Sequence, residues 1–452
     1  MLFNPLNLTI FRGTKEIGGN CILIESEKTR IMLDFGAPLV DKDREQFDIR
    51  NIRNHSITEL IKDKILFPIS GLYKDDGNEF AYDKNNKIDA ILVSHPHIDH
   101  IGFVRYASDK IPIYIGDEAR IMVDASNIFL PGPKLKNRDY IEIKSQKEKT
   151  IGDFKITPFS VDHSAYDSYA FLINFKDINI LYTGDFRIHG RKPGMYKEMM
   201  RYLKGKKINY LIMEGTHIED EDSSYKNEKD VEKEILKIIK HTSNLVLANF
   251  SPQNVDRLVS FFRATKRSGR EFVADEYCAY ILHEISKKRS TFPNPQKEPK
   301  IKVYFREYFM RKRVNDNKLK IINLFKEFQV DADYINKKQS EIVMTFRPSM
   351  LDSDFKKIIP KKNSTCVYSY HDIYLEKPEY KKLQQYCSDR GVAFKKAHVS
   401  GHIYLNDMKK FVKTIKPKHI LPIHTFFPKK FRERFDNVAE LEDGKTYLLS
   451  TN

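Results

Sequence analysis

The sequence predicts an α/β protein in which a layered sandwich of sheets and helices carries a second, doubly wound sheet as an insertion. The first observation is that the N-terminal half consists of short apolar strands joined by turns that contain Gly and Asp. The second is that strands and amphipathic helices alternate after Met213, which is typical of a parallel sheet covered by helices. A chain of 452 residues also exceeds the ~100–200 residues usual for one domain, so several structural units are expected.

The N-terminal part contains β-rich segments separated by polar connectors. Residues 88–93 form a nearly continuous apolar run, IDAILV, of the kind that occurs in strands buried on both faces. Because helical patterns lie between some of these segments, the strands are expected to form sheets covered by helices. The other predicted strands are residues 8–11, 21–24, 30–33, 111–115, 169–174, 178–183 and 210–213.

The middle of the chain begins with a polar run at residues 218–224, which lacks core-forming side chains and leads into an amphipathic helix at residues 231–239. Strands are then predicted at residues 245–250, 271–275, 342–346 and 365–369, and helices at residues 254–265, 277–288 and 380–388. From about residue 392 the chain returns to short strands. We therefore expect an N-terminal part (1–217), an inserted unit (218–390) and a C-terminal return to the first unit (391–452).

Composition and charge restrict the classes of protein that the chain can belong to. A formal net charge of +16 favours a polyanionic partner. No apolar run approaches the ~18 residues of a spanning helix, so no membrane partner is expected. Residues 1–5 lack a basic segment followed by an apolar stretch, and we expect no signal peptide. Four cysteines without a CxxC pair indicate buried thiols in a cytoplasmic protein.

The strongest motif, SHPHIDHIG at residues 94–102, follows the apolar run directly. It contains His95, His97, Asp99 and His100, and four polar side chains this close together would need four partners if all were core residues. Cations such as Zn²⁺ accept imidazole and carboxylate ligands, and a sharp turn after a rigid strand can direct these side chains at one point. The alternative is a solvated His-rich loop, which the supporting strand and the following Gly102 disfavour.

Three further candidates lie where predicted strands end: His163, Asp185 and His424. A lone histidine at a strand end is more often structural than a metal ligand. Together with the four side chains of the motif, however, they form a set of seven nitrogen and oxygen ligands. Seven ligands suffice for two divalent cations that share a bridging carboxylate. Zn²⁺ is favoured for these ligands, and Mn²⁺ also suits them.

The pattern resembles the metallo-β-lactamase superfamily, and within it the β-CASP nucleases. The resemblance is carried by HxHxDH, the later histidine, the TGD that contains Asp185, and Asp34 in LDFG. Glu214 at a strand end, His402 in the HVSGH segment and His424 in PIH match the additional nuclease motifs. The HxSxH element formed by His398, Ser400 and His402 looks most like ribonuclease J. In motif order the resemblance covers essentially the whole chain.

This resemblance implies an αββα metallo-β-lactamase sandwich with an inserted, doubly wound β-CASP domain. It assigns His95, His97 and His163 to one metal ion, Asp99, His100 and His424 to the other, and Asp185 to the bridge between them. It also implies that Asp34 orients the ligands from behind and that His402, paired with Glu214, protonates the leaving oxygen. Asp99, His402 and Glu214 form the expected catalytic group, and His398 and Ser400 are expected to contact a substrate phosphate.

Two features depart from ribonuclease J. The GSQGE run that helps to form a 5′-monophosphate pocket is not found, and residues 344–350 read MTFRPSM at that place. Arg347 and Ser349 are the residues expected to bind phosphate instead, because arginine binds phosphate through two parallel hydrogen bonds. The chain also ends soon after His424, without the further C-terminal domain that supports oligomerisation in many ribonuclease J proteins. A homodimer is therefore only one of the assemblies compatible with the sequence.

The expected activity is metal-dependent hydrolysis of RNA phosphodiester bonds, as a 5′-exonuclease, an endonuclease or both. Single-stranded RNA is the expected substrate, because a cleft admits a splayed strand more readily than a duplex. The alternatives are a DNA nuclease of the same branch, a small-molecule metallo-hydrolase and a catalytically silent RNA-binding scaffold. Residues 304–313 interleave aromatic and basic side chains, which suits either base stacking or a helix with an aromatic core face.

Overall fold

The structure is a computed structural model that describes residues 5–40, 45–130, 134–135, 138, 140–312 and 316–451. Residues 1–4, on which the signal-peptide expectation rests, lie outside the described residues, as does Arg313 at the end of the aromatic and basic segment. Over the ranges that the structure covers, the helices are all too short or too polar to span a lipid bilayer.

Eleven strands and four helices are described up to residue 217. In chain order they are β1 (Leu6–Arg12), β2 (Cys21–Glu25), β3 (Arg30–Phe35), α1 (Ile57–Lys62), β4 (Ala90–Leu92), α2 (Ile98–Ile101), β5 (Ile113–Gly116), α3 (Asp117–Phe129), β6 (Tyr140–Ile143), β7 (Lys149–Ile151), β8 (Phe154–Val161), β9 (Ser168–Phe175), β10 (Ile178–Tyr182), α4 (Pro193–Leu203) and β11 (Tyr210–Glu214).

Helices and strands alternate through most of the remaining chain. In order they are α5 (Glu228–His241), β12 (Val246–Asn249), α6 (Val255–Arg267), β13 (Glu271–Asp275), α7 (Glu276–Lys288), β14 (Ile301–Tyr304), α8 (Glu307–Arg311), α9 (Asp316–Phe325), α10 (Ala332–Lys337), β15 (Ile342–Phe346), β16 (Thr365–Tyr368), α11 (Pro378–Asp389), β17 (Ala393–Lys396), α12 (Leu405–Ile415), β18 (His419–Ile423), α13 (Pro428–Arg434) and β19 (Thr446–Leu449).

Two mixed sheets pack face to face and form a sandwich. The first sheet has the order β19-β1-β2-β3-β4-β5-β6 and the second has the order β18-β11-β10-β9-β8-β7. Apolar side chains such as Leu33 and Phe171 fill the space between the sheets. Helices α1 and α3 cover the outer face of the first sheet, and α4, α12 and α13 cover the outer face of the second. The predicted α/β class, with helical layers outside two sheets, is confirmed.

The third sheet contains only parallel strands, in the order β14-β13-β15-β12-β16-β17. Helices α5, α6 and α7 pack on one face, and α10 and α11 pack on the other, so the sheet is doubly wound. Side-chain caps begin two of these helices: Asn254 accepts a hydrogen bond from the Arg257 amide, and Asp275 accepts one from the Cys278 amide. Because β17 belongs to this sheet, the sheet extends to Lys396, past the boundary expected at residue 390.

The third sheet contacts the sandwich through apolar and charged side chains. The ring of Phe129 in α3 stacks on Tyr277 in α7 with 4.8 Å between centroids. Arg187, which follows β10 and is fully buried, donates to Asp162 at 2.8 Å and to Asp256 of α6 at 2.7 Å. Arg187 therefore ties the inserted unit to the loop that contains His163.

Several local expectations are resolved by side-chain burial. All four cysteines are buried and unpaired, as the composition predicts. In the aromatic and basic segment, Phe305 and Phe309 are buried, and Arg306 forms an ion pair with Glu276 at 2.6 Å. The described part of this segment therefore has an aromatic core face, whereas Tyr308 is 47% exposed.

Candidate metal centre

The predicted ligands lie in loops that follow four strand ends. The HxHxDH motif follows β4 and continues into the short helix α2, which begins after His97. His163 follows β8, Asp185 follows β10, and His424 comes directly after β18. Strands β10, β11 and β18 are parallel neighbours, so their carboxyl ends lie at one edge of the second sheet. This common edge is the reason that residues far apart in the sequence meet.

Three histidines form the first cluster. The ligand atoms of His95, His97 and His163 all lie within 4.8 Å of one another. His163 Nε2 is 3.2 Å from His97 Nδ1, and the opposite ring nitrogen of His163 lies 2.7 Å from the carbonyl oxygen of Gly401. A proton on Nδ1 that is donated to this carbonyl leaves the Nε2 lone pair free to face the cluster.

The second cluster combines two carboxylates with two histidines: Asp99, His100, Asp185 and His424. Asp185 Oδ2 lies 3.1 Å from His100 Nε2 and 3.5 Å from His424 Nε2. The same oxygen is 3.7 Å from His95 Nε2 in the first cluster. Asp185 is therefore the carboxylate that lies between the two groups of ligands.

Two buried atoms at this centre have no hydrogen-bond partner: His95 Nε2 and Asp185 Oδ1. A buried polar atom without a partner costs about 1–3 kcal/mol, so two at one point would be destabilising unless a ligand satisfies them. Imidazole nitrogens and carboxylate oxygens are the ligands that Zn²⁺ and related divalent cations accept. The clusters can therefore bind metal ions, and the residues present suit them.

Asp34 orients this centre from behind. Its carboxylate accepts hydrogen bonds from the Ser94 amide at 2.6 Å and the Ser94 hydroxyl at 2.7 Å. It also accepts from His100 Nδ1 at 2.7 Å and from the Tyr182 hydroxyl. Because Asp34 holds Nδ1 of His100, the opposite ring nitrogen, Nε2, points at the centre. A carboxylate behind a metal-binding histidine commonly fixes the orientation of the ring in this way. Neither Ser94 nor Tyr182 was predicted to contact Asp34, although Ser94 is the first residue of the predicted SHPHIDHIG motif and Tyr182 directly precedes TGD.

The backbone around the centre adopts conformations that are uncommon for side-chain-bearing residues. Asp34 and His424 have φ values of 55° and 51°, in the left-handed region. Such residues occur mostly where the surrounding structure enforces them, and often at functional sites. Gly36 in the LDFG motif is required for a different reason, because a Cβ atom there would lie 1.7 Å from the carbonyl oxygen of Asp99.

His402 and Glu214 lie beside the ligand clusters as a pair. His402 Nδ1 is 3.0 Å from Glu214 Oε2, and Glu214 is fully buried. Burial by itself would lower the pKa of His402, but the Glu214 and Asp185 carboxylates raise it to about 9. A protonated ring would direct its Nδ1–H at Glu214 and keep Nε2–H as its second donor.

Thr216 connects this pair to the ligand set. Its hydroxyl oxygen lies 3.2 Å from His402 Nδ1 and 2.9 Å from His424 Nδ1. Thr216 was not predicted, because a threonine two residues after a strand end carries no distinctive signal. Its proximity to Glu214 in the sequence is the only clue that could have identified it.

Ser400 is held by a chain of hydrogen bonds that the sequence did not predict. His217 Nδ1 is 2.6 Å from Asp220 Oδ2, and His217 Nε2 is 2.7 Å from the Ser400 hydroxyl. When Nδ1–H of His217 donates to the Asp220 carboxylate, Nε2 carries a lone pair and accepts a hydrogen bond from the Ser400 hydroxyl. The Ser400 oxygen also accepts from the His402 amide at 3.2 Å. Ser400 is therefore engaged in positioning the backbone of His402, which disfavours the phosphate contact expected of its hydroxyl.

His398 is close to Ser400 but its ring faces a different group. Its Nδ1 lies 3.2 Å from the Ser369 carbonyl oxygen and 3.2 Å from Arg257 Nη1. Burial, followed by the adjacent Arg257, holds the pKa of His398 well below its ordinary value. A neutral ring can offer a phosphate a hydrogen bond but no positive charge.

The phosphate-binding role expected of Arg347 is disfavoured by its surroundings. Arg347 donates to Asp275 Oδ2 through Nε at 2.9 Å and through Nη2 at 2.6 Å. Its charge is therefore neutralised inside the inserted unit, and its side chain is only 15% exposed. Ser349 is exposed on the following turn. Of the two residues, Arg347 is thus paired with a carboxylate and Ser349 is exposed to solvent.

Comparison with known proteins identifies two domain families in the chain. Residues 76–242 match the β-lactamase superfamily domain, and residues 393–438 match the RNA specificity domain of Zn-dependent metallo-hydrolases. The first match includes the HxHxDH motif, His163, Asp185 and Glu214. The second includes His402 and His424.

Curated relatives match over most of the chain. Ribonuclease J of Helicobacter pylori strain 26695 is 23% identical over 429 residues, which is 93% of this chain and 56% of that protein. Ribonuclease J of Mycoplasma genitalium is 22% identical over 451 residues, 96% of this chain and 70% of that protein. The chain thus spans about half the length of the first of these relatives. The resemblance predicted from the motifs is confirmed.

A solved structure shares the fold. A protein of unknown function from Enterococcus faecalis V583 superposes with a TM-score of 0.80 at 21% identity, covering 98% of this chain and 100% of that one. At this identity the likeness concerns the fold alone. It shows that the arrangement of all three sheets occurs in an independently solved protein.

Proposed function

We propose that this chain is a metal-dependent ribonuclease of the β-CASP branch of the metallo-β-lactamase superfamily, which its two domain matches and its relatives support. The observation that carries the proposal is the position of Asp185 between two ligand clusters, with the His402–Glu214 pair beside them. In the proposed assignment, one metal ion is held by His95, His97 and His163 and the other by Asp99, His100 and His424. Zn²⁺ is the favoured ion and Mn²⁺ the alternative.

Two divalent cations held in this way would lower the pKa of a water molecule and stabilise negative charge on a phosphodiester. The chain itself supplies the proton that the leaving oxygen needs. His402 is directed through Nδ1 at Glu214, so its Nε2 proton is the one available for donation. The hydrogen bond from the His402 amide to Ser400 supports this ring position. Asp34 maintains the orientation of His100.

RNA is the proposed substrate. The RNA specificity domain match covers residues 393–438, and the net charge of +16 favours a polyanion. Phe426 and Phe427, which follow His424 closely, are 43% and 45% exposed, and Lys429 follows them. Exposed aromatic side chains beside cations suit the stacking of unpaired bases, which favours a single strand over a duplex.

The proposal extends to location and mode of action. Four buried, unpaired cysteines support a reducing compartment, and we place the protein in the cytoplasm. The relatives named ribonuclease J support hydrolysis of RNA, and the motif resemblance leaves hydrolysis from a 5′ end, internal hydrolysis or both as the proposed modes. Because Arg347 is paired with Asp275, a strict requirement for a 5′-phosphate is not expected.

The test uses end-labelled single-stranded RNA with either a 5′-phosphate or a 5′-hydroxyl, and a DNA strand of the same sequence. We expect cleavage of both RNAs in the presence of Zn²⁺ or Mn²⁺ and none after chelation with EDTA. Mononucleotides that appear first indicate exonuclease action, and internal fragments indicate endonuclease action. Preferential cleavage of DNA would replace the proposal with a DNA nuclease.

Two further outcomes would remove the nuclease proposal altogether. A protein that carries two metal ions per chain but leaves every polynucleotide intact would indicate a small-molecule hydrolase. A protein that retains no metal after dialysis against Zn²⁺, yet still binds RNA, would indicate a scaffold. Metal content measured by mass spectrometry on the same preparation separates these outcomes.

A further inference from the structure

A basic groove lies next to the proposed metal centre, on a surface that no known activity of the chain explains. It is bounded by α6, the start of α5, the loop before α4 and residues 290–298. Its volume is about 530 Å³, within the ~300–1,000 Å³ typical of ligand sites. We call it the α6 groove, and the residues used to define it are Lys192, Lys229, Arg263, Phe292 and Lys297.

The groove carries an excess of positive charge that the protein itself does not neutralise. Six cationic side chains line it, against the two carboxylates of Asp256 and Glu298. Both carboxylates are occupied, because Asp256 binds Arg187 at 2.7 Å and Glu298 binds Lys266 at 2.6 Å. Arg191 is paired with Glu232, which lies outside the lining.

Four cations remain: Lys192, Lys229, Arg263 and Lys297. Among the described residues, none of the four has a carboxylate within ion-pair distance. Lys192 has its ammonium 4.7 Å from the centre of the Tyr166 ring, whereas Lys229, Arg263 and Lys297 are exposed. Together these cations around one concave surface attract an anion of several charges. When cations of this kind neutralise the phosphates of a polyanion, the counterions bound to the polyanion are released. The affinity for the polyanion therefore falls strongly as the salt concentration rises.

Uncharged side chains complete the lining. Ser290 and Thr291 bring hydroxyl groups to one rim of the groove. Phe292 is half-buried, and its ring packs edge-on against Tyr166 with 5.7 Å between centroids. Cations, hydroxyl groups and an aromatic ring together suit a phosphate that carries a nucleoside, because the ring can contact a base while the cations bind the phosphate.

The groove is joined to the metal centre through Lys192. Lys192 and Asp256 also line a small cavity that His163 borders. The Lys192 amide donates to Asp162 Oδ2 at 2.8 Å, and Asp162 directly precedes His163 in the sequence. A ligand in the groove would therefore lie close to the loop that carries a proposed metal ligand.

We propose that the α6 groove is a second binding site for nucleoside phosphates, separate from the proposed metal centre. A strand of RNA that extends past the metal centre and a free nucleotide share this chemistry, and the experiment distinguishes them. The identification of the strand as RNA rests on the proposed function. The binding of a nucleoside phosphate in the groove does not.

The experiment compares the wild-type chain with the double variant R263Q/K297Q, with EDTA present so that no cleavage occurs. The probe is a fluorescein-labelled uridine decanucleotide, and binding is measured by anisotropy at several salt concentrations. We expect the variant to bind about tenfold more weakly at low salt. Each lost phosphate contact on a single strand reduces the log–log salt slope by about 0.7, so the slope should fall by about 1.4.

A matched variant, K361Q/K362Q, removes the same charge from an exposed segment of the inserted unit. It should bind the decanucleotide as the wild type does. Equal weakening in both variants would mean a general effect of net charge, and it would overturn the inference. An R263Q/K297Q variant with unchanged affinity and salt slope would overturn it too, provided that both proteins have the same melting temperature.

Adenosine 5′-monophosphate identifies the source of the ligand. If it displaces the decanucleotide from the wild type more readily than from R263Q/K297Q, the groove binds free nucleotides. If it displaces neither, while the variant still binds the decanucleotide weakly, the groove binds a longer strand. Both results support the site.

Cleavage assays separate this inference from the proposed function. With Mn²⁺ present, R263Q/K297Q should cleave a short substrate at the wild-type rate and a long one more slowly. A wild-type protein that cleaves no RNA, with a variant that loses decanucleotide binding, would refute the ribonuclease and retain the groove. If R263Q/K297Q cleaves RNA at the wild-type rate and binds the decanucleotide with unchanged affinity, the groove is refuted and the ribonuclease is retained.

Discussion

Two clusters of buried polar side chains lie close together in this molecule and differ in one respect. In the arginine cluster of the inserted unit, Arg257 binds both oxygens of Glu228, at 2.8 and 3.1 Å, and also the Ser369 hydroxyl. At the candidate metal centre, His95 Nε2 and Asp185 Oδ1 are equally buried and have no partner. One cluster is closed by its own hydrogen bonds and the other is open.

This difference separates structural from functional polar groups. A buried charge with all its hydrogen bonds made can hold elements together, whereas buried atoms with unused lone pairs require something from outside the chain. The two clusters are also physically connected through Arg187, which belongs to the arginine cluster because it lies 3.7 Å from Glu228 and 2.7 Å from Asp256. Arg187 also donates to Asp162, which precedes His163, and to the Ser400 carbonyl oxygen near His402. The closed cluster thus holds the loops that carry the open one.

The largest expected effect is that of Asp185→Asn at the open cluster. Loss of the shared negative charge should reduce metal content and lower cleavage by more than the ~10²–10⁴-fold expected for a missing general acid. Metal content by mass spectrometry and single-turnover cleavage measure both effects. Asp256→Asn, which removes the negative charge paired with Arg187 in the closed cluster, should lower stability and reduce metal content much less. A turnover rate of Asp185→Asn equal to that of the wild type would contradict the proposal that the two metal ions share the Asp185 carboxylate.

His402→Ala should slow cleavage by about 10²–10⁴-fold while metal content stays at the wild-type level. The reason is that His402 is proposed to donate a proton without holding a metal ion. The loss should be much smaller for bis(p-nitrophenyl) phosphate, whose leaving group needs no proton. His419→Ala, a histidine at the start of β18, is the matched control. Equal losses on both substrates would argue against a general acid.

Arg257→Met should destabilise the fold by about 3–5 kcal/mol, because it leaves the Glu228 carboxylate buried and unpaired. The free energy of unfolding in urea measures this loss. Adding Glu228→Leu should recover part of it, since the pair is then replaced by apolar side chains. Metal content per folded molecule should not change. A variant as stable as the wild type would mean that the arginine cluster does not secure the inserted unit.

Asp34→Asn should weaken metal binding by about 10–100-fold, because the side chain that orients His100 loses its charge. Equilibrium dialysis against limiting Zn²⁺ measures the change, and cleavage at saturating metal should largely recover. Asp354→Asn alters a buried carboxylate remote from the centre and serves as the control. If Asp34→Asn binds Zn²⁺ as tightly as the wild type does, the negative charge of Asp34 is not needed to orient His100.

The smallest effect concerns stability in acid. Burial alone would raise the pKa of Glu228, but Arg257 lowers it to about 2. The unfolded chain binds this proton near pH 4.5 and the folded chain only near pH 2, so the stabilisation is complete above pH 4.5 and is lost as the pH falls. By pH 3.5 the loss from this group should be about 1 kcal/mol.

Glu228→Gln provides the comparison for that loss. Its unfolding free energy should be lower than that of the wild type at pH 7, and the difference should narrow between pH 5 and pH 3. Urea unfolding at each pH measures it. If the difference in unfolding free energy between the wild type and Glu228→Gln stays constant over this range, the proton bound in acid is taken up by a group other than Glu228.

The motifs made the open cluster predictable. HxHxDH is contiguous in the sequence, and the remaining ligands each follow a strand that is apolar enough to recognise. The alternating helices and strands also predicted the third sheet. The closed cluster was missed, and of the supporting residues only Asp34 was predicted; Ser94, Tyr182, Thr216 and His217 were not. His217 and Ser400 are 183 residues apart, and no local pattern marks either as the partner of the other.

Arg347 illustrates why such partners escape sequence reasoning. An arginine after a strand is compatible with a phosphate or with a carboxylate, and its position alone does not distinguish them. The partner is Asp275, 72 residues earlier, which also caps α7. Only the parallel pairing of β13 with β15 brings the two together.

The sequence by itself determined which side chains could bind metal ions, because ligand chemistry belongs to residue types and their spacing reflects strands and turns. It also determined the alternation that produces a doubly wound sheet. The tertiary structure decided which polar groups satisfy one another and which remain open. That decision depends on contacts between residues far apart in the sequence, such as Asp99 and His424, which are separated by 325 residues, and such contacts exist only once the chain has folded.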